Sequence, residues 1–132
     1  MLTIQGLSVR YGGIVALNDV SIQVNQGESV LLVGSNGAGK SSLINAVMGL
    51  APLSSGRIVF EGKDLAGVSA PARARMGIGY SPEGRRVFRS LSVAENVLSG
   101  TMGLRQSEAL ANLDWVQRTF PLLAQRARQP LL

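Results

Sequence analysis

Gly34-Ser35-Asn36-Gly37-Ala38-Gly39-Lys40-Ser41 is the stretch that decides how this 132-residue chain folds. The pattern G-x-x-x-x-G-K-[ST] needs its glycines because the backbone must wrap an anion with N–H groups turned inward. A helix opening at the end of such a loop adds unsatisfied N–H groups and the positive end of its dipole. Lys40 then reaches the β- and γ-phosphates of a nucleotide as a point charge, and Ser41 offers its hydroxyl to Mg²⁺. A chance match in a chain of this length arises on the order of once in several hundred proteins. The flanks argue against chance. Val30-Leu31-Leu32-Val33 before the loop is a continuous apolar run, as expected of a central parallel strand covered on both faces. Leu43, Ile44, Val47 and Met48 after it form a helical stripe that stops at Gly49.

Working outward, Leu7, Val9 and Tyr11 alternate with polar residues, and Val20, Ile22 and Val24 do so more cleanly. Gly12-Gly13 between them reads as a turn, so the two segments pair in one antiparallel sheet. Arg57–Glu61 is a further strand closed by Gly62, and Ile78-Gly79-Tyr80 a short strand feeding the loop at 81–84. Ser69 can cap a short helix with Pro71 in its first turn and Gly77 at its end. Ser92-Val93-Ala94-Glu95 is a capping box whose helix Gly100 ends. A last long helix runs from about Ser107 to Phe120, with Leu110, Leu113, Val116 and Phe120 on one side and Pro121 stopping it.

Composition sets limits on the chemistry. An apolar fraction of 45% is that of a globular protein with one core. There is no cysteine and no histidine, which removes disulfides, thiolate metal sites and imidazole acid–base catalysis within these residues. No apolar stretch is long enough to span a bilayer, and no signal-peptide pattern opens the chain, so a cytoplasmic address is expected. The net charge of +5 lies wholly in residues 71–132, where nine arginines face four acids. A solvated face or a protein partner accounts for that better than nucleic acid, because no aromatics interleave with the arginines.

The flanks of the loop narrow the family. Leu7–Gly12 followed by Ala16–Ser21, then Gly27-Glu28 leading into Val33–Leu43, resemble the opening of ATP-binding-cassette (ABC) transporter ATPases. Gly49-Leu50, Ser55–Ile58 and Gly62–Leu65 follow in that family's order. Gly77–Phe88, continued by Leu91–Asn96, resembles the ATP-binding subunits of branched-chain amino-acid importers; urea or amide importers look similar. The resemblance covers essentially the whole chain.

It implies an α/β fold of the P-loop NTPase class, with 1–26 and 55–66 forming an antiparallel β subdomain. Residues 27–54 and 67–83 would form a nucleotide-binding core with a partial parallel sheet, and 84–132 the start of a helical subdomain. The implied cofactors are ATP and Mg²⁺. Nucleotide contacts fall on Tyr11, as the ring stacked on adenine, and on Gly34, Ser35, Asn36, Gly37, Ala38, Gly39, Lys40, Ser41 and Ser42. Ser41 and Glu83 are the implied Mg²⁺ contacts; Glu83 stands where most of the family carries a glutamine that also meets the attacking water. Arg85, Arg86 and Arg89 lie where the family's helical subdomain meets membrane subunits. Those subunits and a second ATP-binding subunit are the implied partners, at the inner face of the cell membrane.

Leu98-Ser99-Gly100 is not the family's signature, and none of the eight acids sits in its second acidic motif. The chain thus resembles the N-terminal half of an ABC ATPase, ending before the signature, the catalytic glutamate and the switch histidine. The family's parallel sheet would draw strands from that further part, leaving Val30–Val33 and Ile78–Tyr80 short of neighbours. Two functions follow: ATP binding and hydrolysis coupled to amino-acid import, or nucleotide binding without turnover. A GTPase or RNA-binding P-loop protein would need a base-reading segment such as Asn-Lys-x-Asp, and none occurs.

Overall fold

The structure is a computed structural model that describes residues 1–84 and 86–130. Arg85 lies outside the described residues. Contacts divide the chain into two compact units, Met1–Met76 and Gly77–Leu132.

The first unit is built on an antiparallel sheet ordered β2-β1-β3-β4. Strand β1 (Leu2–Tyr11) turns at Gly12-Gly13 into β2 (Ile14–Val24), with Tyr11 opposite Ile14. Gly12, at φ 59°, supplies the left-handed backbone that such a two-residue turn requires. β3 (Leu53–Phe60) pairs with the other edge of β1, and β4 (Lys63–Asp64) folds back on it. Arg57 donates to Asp64 at 2.8 Å across that last turn. The expected alternation is realised in part: Leu7 and Val9 of β1 are buried, Val20, Ile22 and Val24 of β2 are half-buried and Tyr11 is exposed, while Ile4, Leu17 and Ile58 complete the core. Each fully buried aliphatic side chain contributes roughly 1.5–3 kcal/mol. Register shifts on both sides of Leu7 bend the sheet. A Cβ on Gly56 would lie 2.5 Å from the Gly6 carbonyl, so β3 crosses β1 there with bare backbone.

Helix α1 (Lys40–Met48) lies on β1 and β2 with Leu43, Ala46, Val47 and Met48 buried. Gly49, at φ 75°, ends it as expected. A short helix α2 (Ala70–Arg75) packs against α1. Ser69 occupies its N-cap position, although its side chain accepts no hydrogen bond there, and Met76 caps its other end, one residue before Gly77.

The expected parallel strands do not form. Residues Val30–Val33 and Ile78–Tyr80 belong to no strand, and every ladder among the described residues is antiparallel. Leu31 and Val33 are each 85% exposed. A central strand requires ladder partners on both sides for its N–H and C=O groups, and no described ladder pairs with this run.

In the second unit α3 (Val93–Ser99), α4 (Gln106–Thr119) and α5 (Pro121–Gln125) follow one another. The stripe foreseen for α4 is only half-buried at Leu113 and Val116, and Leu110 and Phe120 are exposed. Pro121 does more than stop α4. It opens α5, because a first helical turn tolerates a missing N–H. The Ser92 box forms in full: Ser92 Oγ accepts from the Glu95 amide and Glu95 Oε2 from the Ser92 amide. Asn96 holds the preceding turn, accepting from Phe88 N at 2.8 Å and donating to the Phe88 carbonyl at 2.9 Å.

Candidate functional site

The loop of residues 34–39 enters α1 directly, and its backbone explains its glycines. Gly37 and Gly39 have φ of 85° and 90°, a region that costs other residues about 1–2 kcal/mol. Gly39 has a second constraint: a Cβ there would lie 2.5 Å from the Ala16 carbonyl and 2.6 Å from Leu17 Cδ2. The end of the loop is therefore pressed onto β2. Ala38 N donates to Ser35 O at 3.2 Å, which closes the turn around Asn36 and Gly37.

Lys40 organises the loop from inside. Its Nζ donates to the carbonyls of Gly34 at 2.6 Å and Ser35 at 2.7 Å. The ammonium thus sits at the mouth of α1, where the helix also presents its positive dipole end. No side chain caps this helix and no acid stands in its first turn. Ser41 is exposed and Ser42 half-buried on that same turn. Bare helix N–H groups, a lysine and a neighbouring hydroxyl form a set of donors with no carboxylate among them. That set fits a polyanion.

The structure brings Gly34–Ser42 into one loop and helix mouth, while Tyr11 and Glu83 stand on other elements. Tyr11 ends β1 with 43% of its surface exposed. Glu83 lies exposed in the second unit, beside Gly84. Among the described residues no cluster of three or more acidic, His or Cys side chains could hold a metal. No helix among them is long and apolar enough to cross a membrane.

Sequence reasoning missed Arg73. It is 5% exposed, the one buried charged residue among those described. Its guanidinium donates to the carbonyls of Ala46 at 2.9 Å and Val47 at 2.8 Å, the far end of α1. It also donates to Leu65 and Val68, each at 2.9 Å. Burial pushes this guanidinium below its usual pKa. Nothing in Ala70-Pro71-Ala72-Arg73-Ala74-Arg75 marks Arg73 rather than Arg75 as the inward one.

A family model described as "ABC transporter" matches residues 17–130. The chain is 41% identical over 129 residues to the high-affinity branched-chain amino acid transport ATP-binding protein BraG of Pseudomonas aeruginosa. That match covers 98% of this chain and 55% of BraG. It is 42% identical over 98 residues to the lipopolysaccharide export system ATP-binding protein LptB of Escherichia coli, covering 74% of this chain and 41% of LptB. Among solved structures, an ATP-binding subunit of an ABC transporter superposes with TM-score 0.83 at 31% identity, covering 98% of this chain and 54% of that one. A nucleotide-free ATP-binding cassette superposes with TM-score 0.75 at 28% identity, covering 99% and 57%. The chain therefore spans about half the length of the relatives it matches.

Proposed function

The chain belongs to the ABC transporter family, and on that premise we propose that it is the phosphate-gripping part of an ATP-binding subunit that serves branched-chain amino-acid import. The observation that carries this reading is the uncapped mouth of α1, with the Lys40 ammonium held between the Gly34 and Ser35 carbonyls.

In this reading the N–H groups of residues 35–41, apart from that of Ala38, which Ser35 O holds, and Lys40 Nζ turn to the phosphates. Ser41 Oγ and the Glu83 carboxylate are the groups that would meet Mg²⁺, and the Tyr11 ring would lie on the adenine. Mg·ATP, when bound, supplies the phosphoanhydride bond whose cleavage drives transport in the whole protein. What these residues do is orient the triphosphate and balance its charge. Membrane subunits and a second ATP-binding subunit are the expected partners, at the inner face of the membrane. The family's division into an antiparallel β subdomain (1–26, 55–66), a nucleotide core (27–54, 67–83) and a helical subdomain (84–132) is part of the same proposal.

Titration of the 132-residue chain with Mg·ATP tests the core of the proposal. Lys40→Ala is expected to weaken binding about 100-fold, or ~2.7 kcal/mol, the scale of a lost charge-assisted contact. Equal affinity in wild type and variant would sink the reading. Phosphate release that persists at steady state and vanishes in Lys40→Ala would show that these residues also turn ATP over.

A lipopolysaccharide-export role is the second reading, favoured by the similar identity to LptB. Import is preferred because the alignment with BraG continues through residues that the LptB match leaves out. Completing the chain with the remaining length of BraG and scoring leucine uptake in cells lacking BraG separates the two. Rescue of LptB-deficient cells by an LptB-completed chain, without rescue of uptake, would favour export.

A further inference from the structure

Helix α1 meets a neighbour closely at both ends, more tightly at its start than at its finish. At its start, Gly39 lies so near Ala16 and Leu17 of β2 that a methyl group could not fit. At its finish, a Cβ on Gly49 would lie 3.1 Å from Arg73 Nε and 3.2 Å from Cζ. Between these stops the helix is about 13 Å long at its standard rise. Its buried face on β1 and β2 fixes which side faces inward, and an apolar face alone does little to fix its position along its own axis.

Arg73 supplies that axial fix. Four of its five N–H groups are used on four carbonyls, two on the last turn of α1 and two on the segment leading from β4 into α2. A planar fork can do this only with the helix end at one place. No buried side-chain polar atom among the described residues lacks a partner. A cation buried at a helix C-terminus also complements the dipole whose other end faces the loop.

We propose that Arg73 is a positioning residue of the nucleotide site, holding α1 so that Lys40 and Ser41 stand where the phosphates arrive. This rests on the nucleotide reading above, and the role is exerted through the helix, since Arg73 bonds the end of α1 opposite the loop. Lysine cannot replace it, because an ammonium keeps the charge but offers three donors and no fork.

The test compares wild type, Arg73→Lys, and Ile4→Val as a control that trims the core elsewhere. Hydrogen exchange is measured first without nucleotide, at a temperature where all three are folded by circular dichroism. Arg73→Lys is expected to speed exchange of the Leu43 amide, bonded to Gly39 O at the start of α1, about tenfold relative to the control. Mg·ATP affinity, corrected for folded fraction, is expected to fall about tenfold in Arg73→Lys and to hold in Ile4→Val. Unchanged exchange and affinity in a folded Arg73→Lys chain would overturn the proposal. Should Arg73→Lys not fold, wild type decides: by linkage, binding at the loop must protect the amides of Gly49 and Leu50 at the opposite end of α1. Protection confined to residues 34–43 refutes the idea. Failure of the wild-type chain to bind ATP refutes the nucleotide reading instead, and leaves the nucleotide-free exchange to judge Arg73.

Discussion

Helices α1 and α3 begin in opposite ways. α3 starts on a serine whose hydroxyl and whose partner Glu95 form a closed box, and chain carbonyls cover the rest of its first turn. Val93 N donates to Gln129 O and Ala94 N to Ala127 O, each at 3.0 Å. α1 starts on a glycine with no capping side chain and no acid, and a lysine opens it. In α3 the N–H groups are spent internally, which stabilises the helix. In α1 no side chain takes them, and under the proposed function they face the phosphates, so the helix relies on packing and on its C-terminal clamp. The same four orphan donors are thus closed by the chain in one place and left open by it in the other.

The largest expected effect breaks the α1 side. Gly39→Ala places a methyl group against the backbone of Ala16 in a left-handed conformation. The β2 carbonyl cannot move without its ladder, so we expect a loss of roughly 2 kcal/mol or more together with loss of Mg·ATP binding. Thermal melts and binding isotherms of the variant check both. Gly37→Ala is the control, because that site has positive φ but open space around it. If the two variants behave alike, the close approach to β2 is not what demands glycine at 39.

These two helix starts also show what a sequence can disclose. The glycine loop, Gly49 and the Ser92 box were readable because each depends on a local rule of dihedral or side-chain reach. The β1–β2 hairpin was readable for the same reason, through period-2 alternation around Gly12-Gly13. Val30–Val33 was misread as a formed strand, since its apolar character signals what the segment could pair with, and pairing depends on partners distant in the chain. Arg73 was invisible because its partners are backbone carbonyls on other elements, and carbonyls leave no trace in residue identity. Pro121 was read as a stop when it was equally a start; proline's missing N–H suits both positions.

On the α3 side the expected effect is smaller and confined to stability. Ser92→Ala removes a hydroxyl that accepts from Glu95 N and donates to Glu95 Oε2, and is expected to cost about 1 kcal/mol, seen as a lower thermal midpoint of the 77–132 unit. Mg·ATP affinity at equal folded fraction should hold. The box also carries a pH signature. The hydrogen bond from the Ser92 hydroxyl, then that from its amide, lowers the pKa of Glu95. A carboxylate whose folded pKa is depressed stabilises fully above its unfolded value and loses that contribution as pH falls through the folded one. Acid titration should therefore erase part of the difference between wild type and Ser92→Ala. A difference that stays constant on acidification would mean that the charge of Glu95 plays no part.

The start of α4 sharpens the comparison by falling between the two. Arg105 opens this helix, and its amide donates to Glu108 Oε2 at 3.1 Å while its guanidinium meets Oε1 at 2.6 Å. Half of a capping box is present, supplied by Glu108, with a salt bridge in place of the hydroxyl. The pair is open to solvent, its side chains 82% and 44% exposed, and such pairs are screened by water and salt. Arg105→Ala should leave the thermal midpoint within error of wild type, because Glu108 keeps its bond to the backbone amide. Glu108→Ala should do slightly more, since it removes that bond as well as the charge from the first turn. The order of these two variants carries the argument: if Arg105→Ala proves the more damaging, the ion pair and not the backbone contact holds the start of α4. Raising salt should then shrink the loss, whereas a backbone contact would leave it nearly unchanged.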